Sequence, residues 1–459
     1  MKNSRFWKIL ILSLIFNFAF LIFSFSLHAS GSPKSHETFW GTVSVKEYTL
    51  NNGIKVLIIE DHKAPLATFQ IWYRVGSKDE SIGKTGVSHL LEHMMFKGTS
   101  KYGSKVFSNI IQRNGGIDNA HTTKDYTMYH QTLSSDRIGI SIELESDRMC
   151  NLLLDPKEVI NERNVVMEER RMRYEDDPQS LLYEEVIATA FKAHPYRWPV
   201  IGWMSDIASI EREDLYRHYI AYYSPDNAFI VISGDVKAED VIQKVKEGFE
   251  HIKPDKVRVE RYKAEEPRQE GEKRVYLKKE AELPYLLIAY HVPSFPHKDS
   301  FALDVLSTIL SAGKSSRLYK DIIYEKRLAL NIFADYSGFY KDPFLFILGG
   351  TLAPQKNIED LEKTIYNEIE RIKNEVPSEK EIQKAKNQIE ASFIFAQDST
   401  YSRAFYTGMF EMLGDWRLMD KYLEGIREVK PDDIQAVAKK YLTDDNKTVG
   451  ILIPIKNSK

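Results

Sequence analysis

The sequence predicts an α+β protein of two homologous domains, each a mainly antiparallel sheet packed with helices. Three observations lead there. Short runs of strand formers alternate with amphipathic helical stretches on both sides of the chain's middle. A strongly charged segment containing Pro254 and Pro267, residues 253–273, separates the halves as a linker. The ends of the two halves also echo one another. Ile210, Asp214, Leu215, Tyr222, Asp226 and Asn227 recur as Val429, Asp433, Ile434, Tyr441, Asp445 and Asn446, each pair 219 residues apart. A repeat that long is a duplicated domain, not a solenoid unit. The expected boundaries are 1–29 for a leader, 40–252 for the first domain and 274–459 for the second.

Composition narrows the classes of function. The chain has 459 residues and a net charge of -3, which gives no electrostatic footprint for nucleic acid. Its one cysteine, Cys150, rules out an intrachain disulfide and a cysteine-based metal cluster.

At the N-terminus Lys2, Arg5 and Lys8 precede an almost wholly apolar run at 9–27, followed by Ala29-Ser30-Gly31. This is the layout of a secretory signal peptide. An uncleaved membrane anchor is the alternative, because ~18–20 apolar residues can span a bilayer. In either case the body is expected outside the cytoplasm, periplasmic or otherwise exported. It would touch a membrane only if the segment is retained.

Residues 43–50 and 54–59 flank Asn51-Asn52-Gly53 and read as a hairpin, with 66–75 as a further strand. The stretch from Val87 to Gly98 reads as a short helix. Leu90, Leu91, Met94 and Met95 would face a core, Lys97 would sit in the last turn, and Gly98 just past the end. His89 and His93, four apart, share one face of it, and Glu92 stands beside His93. Two imidazoles, a carboxylate and an apolar flank make most of a catalytic zinc site. A pair of satisfied core histidines with a salt-bridging Glu is the alternative.

Residues 104–114 read as a helix closed by Gly115-Gly116, and 117–123 and 125–133 as strands. If the first of these is an edge strand, its free groups around Asn119 and Ala120 could pair with an extended peptide. Otherwise it merely closes the sheet. His121 and His130 read as hydrogen-bonded strand histidines. Residues 138–154 are helical, and Pro156 begins the next helix. Most of that helix is a charged face in water. Yet Glu162 and Glu169 lie two turns apart and share a face with Val165 and Val166. Carboxylates on an apolar side need partners, and a metal is one such partner. Helices at 179–191 and 210–223 and a strand at 227–233 complete the first half.

The second half repeats the plan with strands at 274–277 and 284–292 and helices at 301–310 and 316–325. Its counterpart of the histidine-bearing helix, 301–310, contains no His and no Glu. Only the first half can be a metal site; the second is then a lid, a wall or a partner surface.

Together these pieces resemble the insulinase/pitrilysin zinc metallopeptidases, called inverzincins because His-x-x-Glu-His reverses the usual order. The resemblance covers essentially the whole mature chain. It rests on His89-x-x-Glu92-His93 followed by Phe96-Lys97-Gly98-Thr99, and on Gly115-Gly116 with Asn119-Ala120-His121-Thr122. Glu162-Arg163-Asn164-Val165-Val166-x-Glu168-Glu169, His194-Pro195-Tyr196 and Tyr223-x-Pro225-x-Asn227 complete the ordered set. The resemblance implies a zinc metalloendopeptidase acting on flexible peptides or unfolded segments. His89, His93 and Glu169 would hold Zn2+. Glu169 takes precedence over Glu168 because it follows Glu162 by seven residues, and Glu162 would orient a ligand. Glu92 would be the general base, and the strand at Asn119 and Ala120 would pair with substrate.

The chain also departs from the family. Working members carry an Arg and a Tyr seven residues apart, facing the zinc; the matching positions here are Tyr324 and Asn331. In two-chain members a homologous zinc-less subunit supplies that pair. The resemblance therefore implies a heterodimer with such a subunit, a homodimer without the pair being the alternative. A processing peptidase removing targeting or leader sequences and a non-enzymatic peptide-binding or scaffold subunit are the other functional alternatives.

Overall fold

The computed structural model describes residues 34–37, 44–254 and 264–455. The leader and residues 255–263 of the expected linker lie outside the described residues. No helix among the described residues is long and apolar enough to cross a membrane.

The first sheet contains β1 (Lys34–Glu37), β2 (Ser44–Thr49), β3 (Lys55–Glu60), β4 (Leu66–Tyr73), β5 (Ile117–Thr122), β6 (Thr127–Ser134) and β7 (Ala228–Gly234). Their order is β1-β2-β3-β7-β4-β6-β5. The second contains β8 (Lys273–Glu280), β9 (Tyr285–Val292), β10 (Phe333–Tyr336), β11 (Phe344–Thr351) and β12 (Lys447–Ile455), in the order β10-β11-β9-β12-β8. In each sheet one pair is parallel, β3 with β7 and β8 with β12, and the remaining pairs are antiparallel. Read from that pair outward, β3-β7-β4-β6-β5 matches β8-β12-β9-β11-β10. The hairpin strand β2 and β1 have no counterpart among the described residues.

The repeated sequence is a repeated set of hydrogen bonds. Asn227 Nδ2 donates to the Tyr222 carbonyl at 2.8 Å, and Asn446 Nδ2 to the Tyr441 carbonyl at 2.8 Å. Asp214 accepts the Glu211 N–H at 2.9 Å, and Asp433 the Lys430 N–H at 2.8 Å, so in both copies a carboxylate of the first turn ties down the residue that precedes the helix.

One sheet lies in each half of the chain, with β1 falling before residue 40 and β8 beginning at Lys273, and the two halves interlock. Successive residues of β3 point to opposite faces, and both faces are buried. Val56 and Ile58 pack with Leu90, Leu91 and Met94 of the His-bearing helix. Leu57 and Ile59, with Trp72, Met128 and Phe229, instead join a core made mostly of second-half residues. The helix Thr400–Leu413 of the second half covers that face of the first sheet. There a Cβ on Gly408 would lie 2.4 Å from the Trp72 ring, so only glycine admits the contact. Reciprocally, the first-half helix Pro178–Ala190 lies on the second sheet, where Leu182, Val186 and Phe191 pack with Leu287, Phe344 and Leu452. The buried Glu411 of the covering helix pairs with Lys55 at 2.8 Å and Arg74 at 3.0 Å on the first sheet.

Two local readings differ. The helix expected at 316–325 is the wider-turned segment Tyr319–Glu325, closed by the Lys326 N–H on the Asp321 carbonyl at 2.9 Å. Lys97 lies beyond its helix, which ends at Met94. The next turn tightens, with Phe96 N–H on the His93 carbonyl and Lys97 N–H on Met94, before Gly98 reverses the chain at φ +108°.

Candidate metal centre and active site

The helix Val87–Met94 that carries the two histidines is fixed at its start by backbone contact. Gly86 adopts φ +91°, and a Cβ there would meet the Ile201 carbonyl oxygen at 2.4 Å. The buried Glu80 accepts the N–H groups of Gly86 and Ser88, both at 2.8 Å, and so satisfies the helix's first donors. Burial pushes the Glu80 carboxyl up to about 8, against the pull of those two donors.

Glu169 comes from the last turn of the helix Pro156–Arg170. Its Oε2 lies 3.5 Å from His93 Nε2 and 3.8 Å from His89 Nε2, and one donor atom from each of the three falls within 4.8 Å of the others. Bonds of about 2.0–2.1 Å at tetrahedral angles place ligand atoms roughly 3.3 Å apart, so the donor set fits zinc with little movement. Glu168 points elsewhere and pairs with Arg171 at 2.8 Å. The helix then widens into a π turn, Arg171–Glu175, and Arg173 reaches back to the second oxygen of Glu169 at 3.0 Å.

The surroundings of the two imidazoles differ. Glu162 Oε2 lies 3.1 Å from His93 Nδ1, the arrangement that leaves Nε2 free as a ligand. His89 Nδ1 is buried with no hydrogen-bond partner. Without a metal, burial and the neighbouring His93 push His89 down to about 4. Burial also works against charge on His93, but Glu162 and Glu169 overcome it and hold that group up at about 9. In the metal-free cluster the two carboxylates thus favour His93 as the imidazolium, and a metal ligated by Nε2 would take the place of the proton there.

Glu92 lines the same cavity, about 910 Å³, together with Asn119, Ala120 and Thr122. Burial raises its carboxyl, and the Thr122 hydroxyl, donating to Oε2 at 2.5 Å, opposes that rise. Thr122 ends β5, and β5 is an edge strand, as the sequence left open. Asn119 pairs with His130 and Ala120 with Tyr129 on the inner side. The Ala120 N–H is held by the Asn119 side chain at 2.9 Å. An incoming backbone carbonyl would have to displace that side chain.

His121 makes a long contact with the Tyr126 hydroxyl at 3.4 Å. His130 departs from the expected hydrogen-bonded strand histidine: its Nδ1 has no partner, and its ring packs on Tyr401. Tyr324 is 76% exposed, and the Asn331 amide is occupied by Thr351. In the second half, Asp304 on the helix Asp299–Ser311 is buried against the Tyr422 hydroxyl and is raised to about 6 by that burial.

Sequence reasoning gave no role to Thr122 or Glu80 and placed Lys97 only as a last-turn residue of its helix. Thr122 stood inside a quoted motif, and nothing in its spacing announced a contact with a residue 30 positions away.

A duplicated α+β scaffold with one inverted His-x-x-Glu-His helix and a distant Glu beside it defines a metallopeptidase-like fold. Comparison with known proteins agrees. Residues 55–202 match the family model described as Insulinase (Peptidase family M16), and residues 209–389 match Peptidase M16 inactive domain. The chain is 33% identical over 433 residues to "Zinc protease PqqE" of Helicobacter pylori, covering 94% of this chain and 95% of the relative. It is 27% identical over 448 residues to "Probable mitochondrial-processing peptidase subunit beta, mitochondrial" of Arabidopsis thaliana, covering 94% and 83%. The crystal structure of a protease from Helicobacter pylori superposes with a TM-score of 0.85 at 32% identity, over 92% of this chain and all of that one. The chain belongs to the insulinase family of peptidases, family M16.

Proposed function

We propose that the chain is a zinc metalloendopeptidase that hydrolyses flexible peptides or unfolded segments, as the catalytic subunit of a two-chain enzyme. The observation that carries this reading is the convergence of His89, His93 and Glu169 donor atoms within 4.8 Å, beside the half-buried carboxylate of Glu92. Zinc held by these three residues would supply a Lewis acid that polarises the scissile carbonyl. Glu92 takes the proton of the attacking water and delivers it to the leaving amine. The free edge of β5 accepts the substrate as an added strand, once Asn119 releases the Ala120 N–H. This geometry favours extended chains over folded proteins.

Metal analysis and a peptide assay test the reading. His93→Ala and Glu169→Gln should lose zinc. Glu92→Gln should keep it and lose about 10²–10⁴ in rate. Full zinc content in both ligand variants, or an unchanged rate in Glu92→Gln, would refute the assignment.

The two-chain role rests on the exposed Tyr324 and the occupied Asn331, which leave the substrate without the family's opposing pair. A homologous zinc-less partner would supply it; co-expression followed by size-exclusion chromatography and the peptide assay tests this. Full activity of the chain alone would favour the homodimer. Export is proposed from the leader at 1–29, and N-terminal sequencing of the periplasmic fraction tests it. Removal of leader sequences is the second reading, favoured by the likeness to a processing-peptidase subunit.

A further inference from the structure

We infer that Lys97 is a positioning residue for the metal: it holds Glu162 in the orientation that fixes His93. Lys97 Nζ lies 2.5 Å from Glu162 Oε1, while the other oxygen of the same carboxylate, Oε2, lies 3.1 Å from His93 Nδ1. The two partners divide the carboxylate between them. With Lys97 on one oxygen, the other is left to accept the His93 N–H. Both ion-pair members are largely shielded, Lys97 at 18% and Glu162 at 10% side-chain exposure, so neither is a loose surface group.

The lysine itself is delivered from a rigid turn. Its N–H closes on the Met94 carbonyl at 2.9 Å. The following Gly98 is pinned, since a Cβ there would lie 2.7 Å from the Tyr102 carbonyl oxygen. Lys97's other carboxylate neighbour, Glu158, is at 4.0 Å. A four-carbon side chain leaving a fixed point and ending on one oxygen has little freedom to let Glu162 turn. His89 has no such support, its Nδ1 being unpartnered. The orientation of the ligand set therefore depends on the Lys97–Glu162–His93 line.

The inference rests on the zinc reading above, and it has a sign that separates it from plain electrostatics. A lysine beside a dication repels it, so if charge alone mattered, Lys97→Met would tighten zinc binding. If Lys97 only tied the turn to the neighbouring helix, the substitution would change stability and leave affinity alone. The relay predicts the opposite: outer partners of metal-bound histidines typically contribute 10–100-fold in affinity, and Lys97→Met should weaken zinc by about that factor.

The experiment is competition between the purified full chain and a chromophoric zinc chelator at fixed pH, a readout independent of peptide cleavage. It compares wild type, Lys97→Met, Glu162→Gln and the double variant, with Lys97→Gln replacing Lys97→Met if the latter does not fold. Because Lys97 acts through Glu162, the double variant should bind zinc no more weakly than Glu162→Gln alone. Unchanged or tighter binding by the Lys97 variant, or losses that multiply in the double variant, would overturn the relay. If His93→Ala meanwhile loses its zinc, the proposed function stands without it. A wild-type chain that takes up no zinc would overturn both.

Discussion

Thr122→Val removes one hydroxyl from the site and changes little else, since valine keeps the shape and the strand preference. The lost bond is the 2.5 Å donation to Glu92 Oε2, a neutral donor on a carboxylate that is mostly buried. Two consequences oppose each other. Without the donor the Glu92 carboxyl rises further, because burial is then opposed only by His93 and the Thr122 backbone, and a more basic group takes a proton more readily. Yet the carboxylate also loses the bond that orients it across the cavity. Hydrogen bonds to charged groups contribute about 1.5–3 kcal/mol, which corresponds to roughly 10–150-fold in rate if the bond is used mainly in positioning. We expect kcat for a quenched fluorescent peptide to fall by that factor, with KM and zinc content little changed, and Thr122→Ser to restore most of it. A kcat equal to or above wild type in Thr122→Val, at full zinc occupancy, would show that Thr122 does not position the base.

Two predictions concern the scaffold. Gly408→Ala drives a methyl to within 2.4 Å of the fully buried Trp72 ring, and Gly450→Ala brings one to 2.2 Å from Val186 in the reciprocal contact. Each should cost about 1–3 kcal/mol by overpacking, read as a lower midpoint in chemical denaturation, and no shift in either would refute the tight interlock. Glu80 is raised from 4.5 to about 8 by burial, so the folded state holds its proton more tightly than the unfolded chain. Its contribution is full below about pH 4.5 and is lost as pH rises through 8. The stability of the metal-free chain should accordingly fall over that window, and Glu80→Gln should flatten the slope; a wild-type slope in that variant would remove Glu80 as its source.

The parts of this molecule that were legible in the sequence are those whose information is local. Continuous apolar runs beside turn residues located β3, β4 and β9, and a Pro-initiated helix put Glu162 and Glu169 on one face. The four-residue spacing of His89 and His93 was enough to give their shared direction. The His93–Glu162 contact, 69 positions apart, was implied only through family resemblance, since no spacing rule joins two separate helices. The Thr122 and Lys97 contacts were not legible for the same reason. Each is a long-range meeting of a common polar residue with a carboxylate, and such pairs leave no periodic trace. The end of the His-bearing helix was misplaced because Lys97 suits a last turn by type; a tightening to three-residue bonds after His93 moved it past the end.

The interlock also gives a structural role to the half that lacks the His-x-x-Glu-His motif. The second-half helix Asp299–Ser311 carries no histidine, and its Asp304 accepts the Tyr422 hydroxyl. But Thr400–Leu413 covers Leu57, Ile59, Trp72 and Phe229 on the first sheet, and removing it would bare a fully buried apolar face. At ~25 cal/mol per Å² and roughly 150–250 Å² for each large aromatic, Trp72 and Phe229 alone represent several kcal/mol. The strand β4 that bears Trp72 also pairs with β6, and β6 holds β5 in register beneath the proposed substrate edge. The second half is thus part of what keeps the half bearing His89, His93 and Glu169 folded, and the packing of Gly408 on Trp72 reaches that site through the sheet between them.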